Sequence, residues 1–206
     1  EPARAAAIAA RYAEAFPLAY RTAYGAAEAA LDIARLHHLG AEGEGGPSRA
    51  VRLHCLAADA PGRLRLKLYQ RSGSFALSDA VPALENFGFR VIEVTPTLLE
   101  TRGEVLGAIH DFMLEPPAGI DCPAVLAHGA TIEAAVSAVL NGEGEDDPFN
   151  RLIAGVGLSA GETNWLRAWY RYLRQAGLSF GIATAVDALN SAPAVTRALL
   201  ALFVAR

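Results

Sequence analysis

The segment VRLHCLAADAPGRLRLKLYQ (Val51–Gln70) is where the chain stops reading as helix and starts reading as sheet. Val51, Leu53 and Cys55 alternate with Arg52 and His54, and Leu64, Leu66 and Leu68 alternate with Arg63, Arg65 and Lys67. A period of two puts each set on its own side of a strand. Asp59-Ala60-Pro61-Gly62 separates the runs, with proline suited to the second position of a β-turn and glycine to the third. The segment predicts a hairpin with a buried leucine face. Its basic face reads as a solvated or edge-protecting surface rather than an anion site.

Downstream, Leu77–Phe87 (LSDAVPALENF) reads as a helix with Ser78 as N-cap, Asp79 at the positive end of the dipole and Pro82 in or near the first turn. Gly88 stops it. Phe89–Val94 and Glu104–Leu114 follow as strands, the second ending before Pro116-Pro117, and Ala130–Leu140 is a further apolar helix. Two strand pairs separated by a helix predict a four-stranded antiparallel sheet with helices on one face.

Upstream, Ala3–Ala15 is an alanine-rich helix with Ile8 and Tyr12 one turn apart, closed by Pro17. A second helix is expected from Thr22 to about Leu39, with Tyr24, Ala27, Leu31, Ala34 and His38 on one face and Gly40 as the stop. His37 and His38 point about 100° apart on that helix, so they do not chelate one metal. Gly40–Ser48 (GAEGEGGPS) is a linker, and Glu42 and Glu44 argue against a phosphate cradle there.

Beyond the acidic loop Asn141–Asp147 the chain reads as helix only. Asp147 caps a helix opened by Pro148, with Phe149, Leu152, Ile153 and Val156 inward and Gly157 as the stop. Ser159-Ala160-Gly161-Glu162 forms a capping box. Trp165, Leu166, Trp169, Leu173 and Ala176 make the expected buried face of the next helix, which ends at Gly177. Ile182, Val186 and Leu189 mark another, and Pro193 opens the last, with Val195, Leu199, Leu202 and Phe203 inward. Short links between these helices imply a small bundle. The expected domains are 1–46 (N-terminal helices and linker packing on the next unit), 47–142 (α+β) and 143–206 (helical).

Composition narrows the function. The 206 residues are 52% hydrophobic, much of it alanine, and carry 18 Lys+Arg against 22 Asp+Glu for a net charge of −4. No basic footprint for nucleic acid is present. No apolar run approaches the roughly 18 residues that span a membrane. The N-terminus lacks signal-peptide order, so a cytoplasmic location is expected. Cys55 and Cys122 are the only cysteines, without a CxxC, which argues against a disulfide framework or a thiolate zinc site. With no initiator Met and an apolar helical pattern running up to Arg206, the chain reads as a piece of something longer.

The motifs are few. Gly157-Leu158-Ser159-Ala160-Gly161 matches the G-x-S-x-G nucleophile elbow, the basis of a remote hydrolase reading. A helix precedes it where the elbow requires a strand, Ser159 already serves as a cap, and the last histidine, His128, lies upstream. Arg167, Arg171 and Arg174 form a basic stripe opposite the tryptophans, flanked by Tyr170 and Tyr172. The stripe is either a solvated helix face or a docking surface for an acidic partner. His110 and Asp111 are strand neighbours and face opposite ways. Paired carboxylates, HExxH, Walker and GxGxxG motifs are absent. No catalytic, cofactor-binding or metal-binding residue is assigned.

DPFNRLIAGVGLSAGE and LRAWYRYLRQAGLSF (within Asp147–Phe180) strongly resemble the large bacterial NAD-specific glutamate dehydrogenase family. FPLAYRTAY, ALDIARL, LRLKLYQ, LSDAVPALENFGFRVIEVTP and IHDFML agree in the same order. The resemblance implies an ACT-like domain, the third of its kind in a long N-terminal half, followed by the start of a helical segment leading to the catalytic domain. The fold expected is α+β: an ACT-like, ferredoxin-like four-stranded antiparallel sheet with helices, then a small helical bundle. It also implies a regulatory or scaffolding role without chemistry of its own. The parent would be a homo-oligomer that oxidatively deaminates glutamate to 2-oxoglutarate with NAD. The catalytic lysines and nucleotide-binding glycines would lie outside these residues, and the main partner would be the rest of the parent chain. An ACT-type amino-acid effector is the alternative, meeting backbone donors at Asp59–Gly62 and Asn86–Gly88.

Overall fold

A computed structural model describes residues 2–41, 47–72 and 76–205. The glycine-rich stretch at 42–46, with Glu42 and Glu44, lies outside the described residues. β1 (Arg49–His54) and β2 (Leu64–Gln70) form the hairpin in antiparallel register, with Val51 opposite Leu68 and Leu53 opposite Leu66. Arg63 N–H donates to the Ala60 carbonyl at 3.1 Å across Pro61-Gly62, and Gly62 takes the positive φ of 80° that this turn needs.

β3 (Arg90–Thr101) and β4 (Glu104–Glu115) complete a four-stranded sheet of order β1-β2-β4-β3. β3 runs well past the expected Val94. It is an edge strand, so Pro96 removes no ladder hydrogen bond and polar residues cost nothing on its open side. That is why its alternation fades in the sequence. Arg102 and Gly103, at φ 50° and 81°, close the β3–β4 hairpin in two residues.

Helices cover both faces of the sheet, where one face was expected. Against the face carrying Leu64, Leu66, Leu68, Phe112 and Leu114 pack α4 (Leu77–Asn86), α5 (Cys122–Ala127) and α6 (Gly129–Leu140). Against the face carrying Tyr69, Leu99, Leu106 and Ile109 pack α1 (Pro2–Tyr12), α2 (Leu18–Ala23) and α3 (Ala26–Ala41), with Leu36 at its centre. The basic side of β2 is therefore interior, and Lys67 is 0% exposed.

Local boundaries follow from the same packing. The helix expected over 22–39 is broken at Tyr24, whose extended backbone (φ −128°, ψ 141°) separates α2 from α3, and α3 runs through Gly40 to Ala41. Ser78 is not a cap: the N-cap position falls two residues earlier, at Ala76, and Asp79 N–H bonds the Ala76 carbonyl at 3.0 Å. Its other end is as expected. Gly88 (φ 87°) lets its own N–H reach the Glu85 carbonyl and that of Phe89 the Leu84 carbonyl, a Schellman closure.

The helical part opens with a 3₁₀ turn (Pro148–Asn150) capped by Asp147. It continues through α7 (Arg151–Val156), α8 (Ala160–Gln175), α9 (Ile182–Ser191) and α10 (Pro193–Val204). Phe149, Leu152, Val156, Leu158, Leu166, Val186 and Leu200 form its core. Ile153 and Ala154 of α7 instead join the core beneath the sheet, so the two parts share packing. Two expected faces are displaced. Trp165 and Leu173 of α8 are 38% and 48% exposed. In α10 the buried stripe is Thr196 and Leu200, and Val195, Leu199, Leu202 and Phe203 face out. α10 is apolar nearly all round, so periodicity alone does not choose its side.

Candidate functional site

The densest chemistry lies between α3 and the sheet. Glu28 and Asp32 stand one turn apart on α3, over the β2 side chains Arg65, Lys67 and Tyr69. The Lys67 ammonium donates to Glu28 Oε1 and Asp32 Oδ2, each at 2.6 Å. Asp32 also accepts from the Tyr20 and Tyr69 hydroxyls, the latter at 2.6 Å. Arg52 of β1 bonds Glu28 and reaches the Tyr69 hydroxyl at 3.1 Å. Arg65 grips Asp59 with two bonds of 2.7 and 2.8 Å and reaches Asp111 at 2.9 Å. Tyr24 donates to Asp111 and sets its ring 3.9 Å from the Lys67 ammonium, a cation–π contact. Arg65, Lys67 and Arg52 thus balance most of the charge on Asp59, Asp111, Glu28 and Asp32.

The enclosure shifts the acidities of these groups. Burial, reinforced by the Asp32 hydrogen bond, pushes the Tyr20 hydroxyl far up; burial and Asp32 do the same for Tyr69, and burial and Asp111 for Tyr24. Burial works to raise Glu28, but the Lys67 hydrogen bond and charge, with Arg52, outweigh it and hold the carboxyl below its ordinary value. Burial and the nearby Arg52 charge lower His54, whose Nε2 is 3.9 Å from Glu28. Both oxygens of Asp32 are occupied, while among the described residues Asp111 Oδ1 and both ring nitrogens of His54 are buried without a hydrogen-bond partner. The cluster fastens α3 to the sheet.

Sequence reasoning treated Arg63, Arg65 and Lys67 as solvent-facing. A signal was available in Glu28 and Asp32, an acidic pair at i, i+4 on an otherwise alanine-rich helix. His110 and Asp111 do face opposite sides of β4: Asp111 joins the cluster, and burial lowers His110 on the other face.

The two loops considered for an effector come to the same end of the sheet, because β1 ends where β3 begins. Their polar groups are engaged. Asp59 is held by Arg65, and Asn86 Nδ2 donates to Asp146 at 2.9 Å. Gly62 is open, but a Cβ on Gly88 would come within 2.9 Å of the Arg151 side chain. Arg63 and Arg90 both pair with Glu115 here and hold its carboxyl low. Cys55 and Cys122 converge on the Arg63 carbonyl at 3.7 and 3.4 Å, and burial, then Cys122, raises the Cys55 thiol.

The arginines of α8 do not form a free stripe. Arg167 is 3% exposed, with bonds of 2.7 and 2.8 Å to Asp147, 3.0 Å to Asn150 and a further bond to Asn164. Arg171 pairs with Glu145, and Arg174 donates to the Leu178 carbonyl at 2.9 Å. Tyr170 donates to the Phe180 carbonyl at 3.2 Å. The stripe ties α8 to its flanking loops, and Arg171, Arg174 and Tyr170 reach the rim beside Tyr172, which is 71% exposed.

Ser159 is the cap that its spacing predicts. Its Oγ accepts from Glu162 N–H at 3.2 Å, and the Glu162 carboxylate accepts from the Ser159 N–H and hydroxyl, both at 2.8 Å. Gly157 (φ 77°) ends α7 in the left-handed region, against the His128 ring, and Gly161 lies in the first turn of α8. Among the described residues His128 forms no hydrogen bond with Ser159, whose hydroxyl is instead held by Glu162. No group of three or more His, Cys, Asp or Glu is placed to hold a metal, and no helix is long and apolar enough to cross a membrane, among the described residues.

Three family models match in chain order: "Glutamate dehydrogenase, helical motif 2" over residues 1–39, "Glutamate dehydrogenase, ACT3 domain" over 49–125 and "Glutamate dehydrogenase, helical motif 3" over 144–206. Among curated proteins, the chain is similar to the NAD-specific glutamate dehydrogenases of Halomonas elongata (36% identical over 94% of this chain), Pseudomonas aeruginosa (31% over 97%) and Mycobacterium tuberculosis (33% over 93%). It spans 12% of the length of each.

Proposed function

We propose, from the premise that this chain belongs to the large NAD-specific glutamate dehydrogenase family, that it is a non-catalytic scaffolding and regulatory segment of such an enzyme. The parent oxidatively deaminates glutamate to 2-oxoglutarate with NAD, in the cytoplasm and as a homo-oligomer, and this segment's main partner is the rest of that polypeptide. One observation carries the reading. The matches follow one another along the chain as helical motif 2, ACT3 domain and helical motif 3, while the chain amounts to 12% of its relatives. The α3–sheet cluster agrees with a structural task, since Lys67, Tyr20 and Tyr69 all bond Asp32, and Arg65 bonds Asp59 and Asp111.

The test is kinetic and uses the full-length enzyme. Asp32→Ala, which loosens α3, should lower the thermal midpoint while leaving KM for glutamate and for NAD unchanged. A shifted KM would put a substrate contact inside this segment and overturn the reading.

A second reading, an amino-acid effector site, is favoured by the placement of the Asp59–Gly62 and Asn86–Gly88 loops at the same end of the sheet. A thermal-shift series over the amino acids tests it. A ligand at 100 times its Kd adds about 2.7 kcal/mol, and no shift with any amino acid removes it.

A further inference from the structure

We propose that the apolar groove between α8, α9 and α10 holds an amphipathic helix from another part of the parent polypeptide, outside residues 1–206. This rests on the proposed function and assigns it a surface. The groove, about 460 Å³, is lined by Leu166, Trp169, Leu173, Phe180, Ala188 and Leu199 among others, with no charged side chain. Past its rim the apolar surface continues: Phe203 packs 5.0 Å from Trp169 and 5.3 Å from Trp165, and Leu202 and Val204 are 58% and 66% exposed. A contiguous apolar patch of this kind marks an interaction site rather than ordinary surface scatter.

The shape selects the occupant. The groove walls are helices whose main chains are already hydrogen-bonded, so an added strand finds no partners. A helix satisfies its own backbone and offers apolar residues at i, i+3, i+4 and i+7. A small apolar molecule would fill the groove and leave the Leu202–Val204 surface bare. A second copy with its α10 ridge seated in the groove is the competing occupant, and the crosslinks distinguish it. The chain spans 12% of its relatives, which leaves most of such a polypeptide tethered to this surface. Tethering supplies the effective concentration that lets a patch of this size be filled without high intrinsic affinity.

The experiment places a photoreactive p-benzoylphenylalanine at Leu199 or, separately, at Leu173 of the full-length enzyme. Both positions are half exposed and tolerate the larger ring. Glutamate-dependent NADH formation is confirmed before irradiation, which keeps a failed parental assignment distinct from a failed docking assignment. Adducts are then mapped by mass spectrometry in a mixture of light and heavy subunits. The expected product at both positions joins the probe to one apolar helical peptide from outside residues 1–206. Adducts to residues 160–205 of a second copy, to a small molecule or lipid, or to solvent alone would overturn the proposal.

Discussion

The Lys67 ammonium meets the Asp32 carboxylate at 2.6 Å with both side chains fully shielded from solvent. Asp32 is the shared acceptor for Lys67, Tyr20 and Tyr69, so Asp32→Ala strands two buried hydroxyls and leaves the Lys67 ammonium with Glu28 alone. That loss is expected to cost about 3–5 kcal/mol, the range for breaking a buried ion pair on one side. Lys67→Met keeps the aliphatic volume and leaves Asp32 its tyrosines, and should cost less. Urea midpoints at unchanged m-value read both. Equal, small losses would show that α3 is held by apolar contacts alone.

Stability should fall with acid in two stages. His54 and His110 are held neutral in the fold, so below about pH 6.5 the unfolded chain takes up protons that the folded chain refuses. Glu28, Asp59 and Glu115 are held ionised, by Lys67 and Arg52, by Arg65, and by Arg63 and Arg90. Their contribution is complete above the ordinary carboxylate range near pH 4 and is lost as pH drops through their lowered values. Denaturation midpoints from about pH 8 to about pH 3 should show both declines, with the upper one reduced by His54→Gln. A flat profile down to about pH 4 would contradict the histidine part.

Ser159→Ala should cost about 1 kcal/mol by uncovering the N-terminus of α8, while Ser159→Asp, which can still cap, should cost little. Thermal unfolding measures the pair. If Ser159→Ala left stability intact but removed an ester-hydrolysing activity, the nucleophile reading of Gly157–Gly161 would return.

Gly107 permits the close approach of α3 to β4. Its φ is 152°, and a Cβ there would lie 2.9 Å from a methyl of Leu36 and 3.1 Å from the Gln70 carbonyl oxygen. Gly107→Ala is expected to destabilise by about 1–3 kcal/mol through overpacking. In a double-mutant cycle, Leu36→Ala should return part of that loss. Additive losses would mean that α3 shifts freely.

Much of this fold can be read from the sequence because its signals are local. The alternation through Leu64–Leu68, the Pro61-Gly62 turn, Gly88 and the Ser159–Glu162 box each follow from a few adjacent residues. What stayed hidden depends on distant partners. Lys67 looks solvated until Glu28 and Asp32 arrive from α3, and Arg167 looks free until Asp147 and Asn150 close on it. The α8 and α10 faces were misassigned for a related reason. Apolar periodicity marks a helix face without saying which side packs, and Leu199 and Leu202 are 45% and 58% exposed.

The most direct test of the central claim is glutamate-dependent NADH formation, measured side by side for the full-length enzyme and the folded 206-residue chain. The full-length enzyme should turn over and the chain should give no rate above the blank. A glutamate- and NAD-dependent rate from the chain alone, or none from folded full-length protein, would contradict the account.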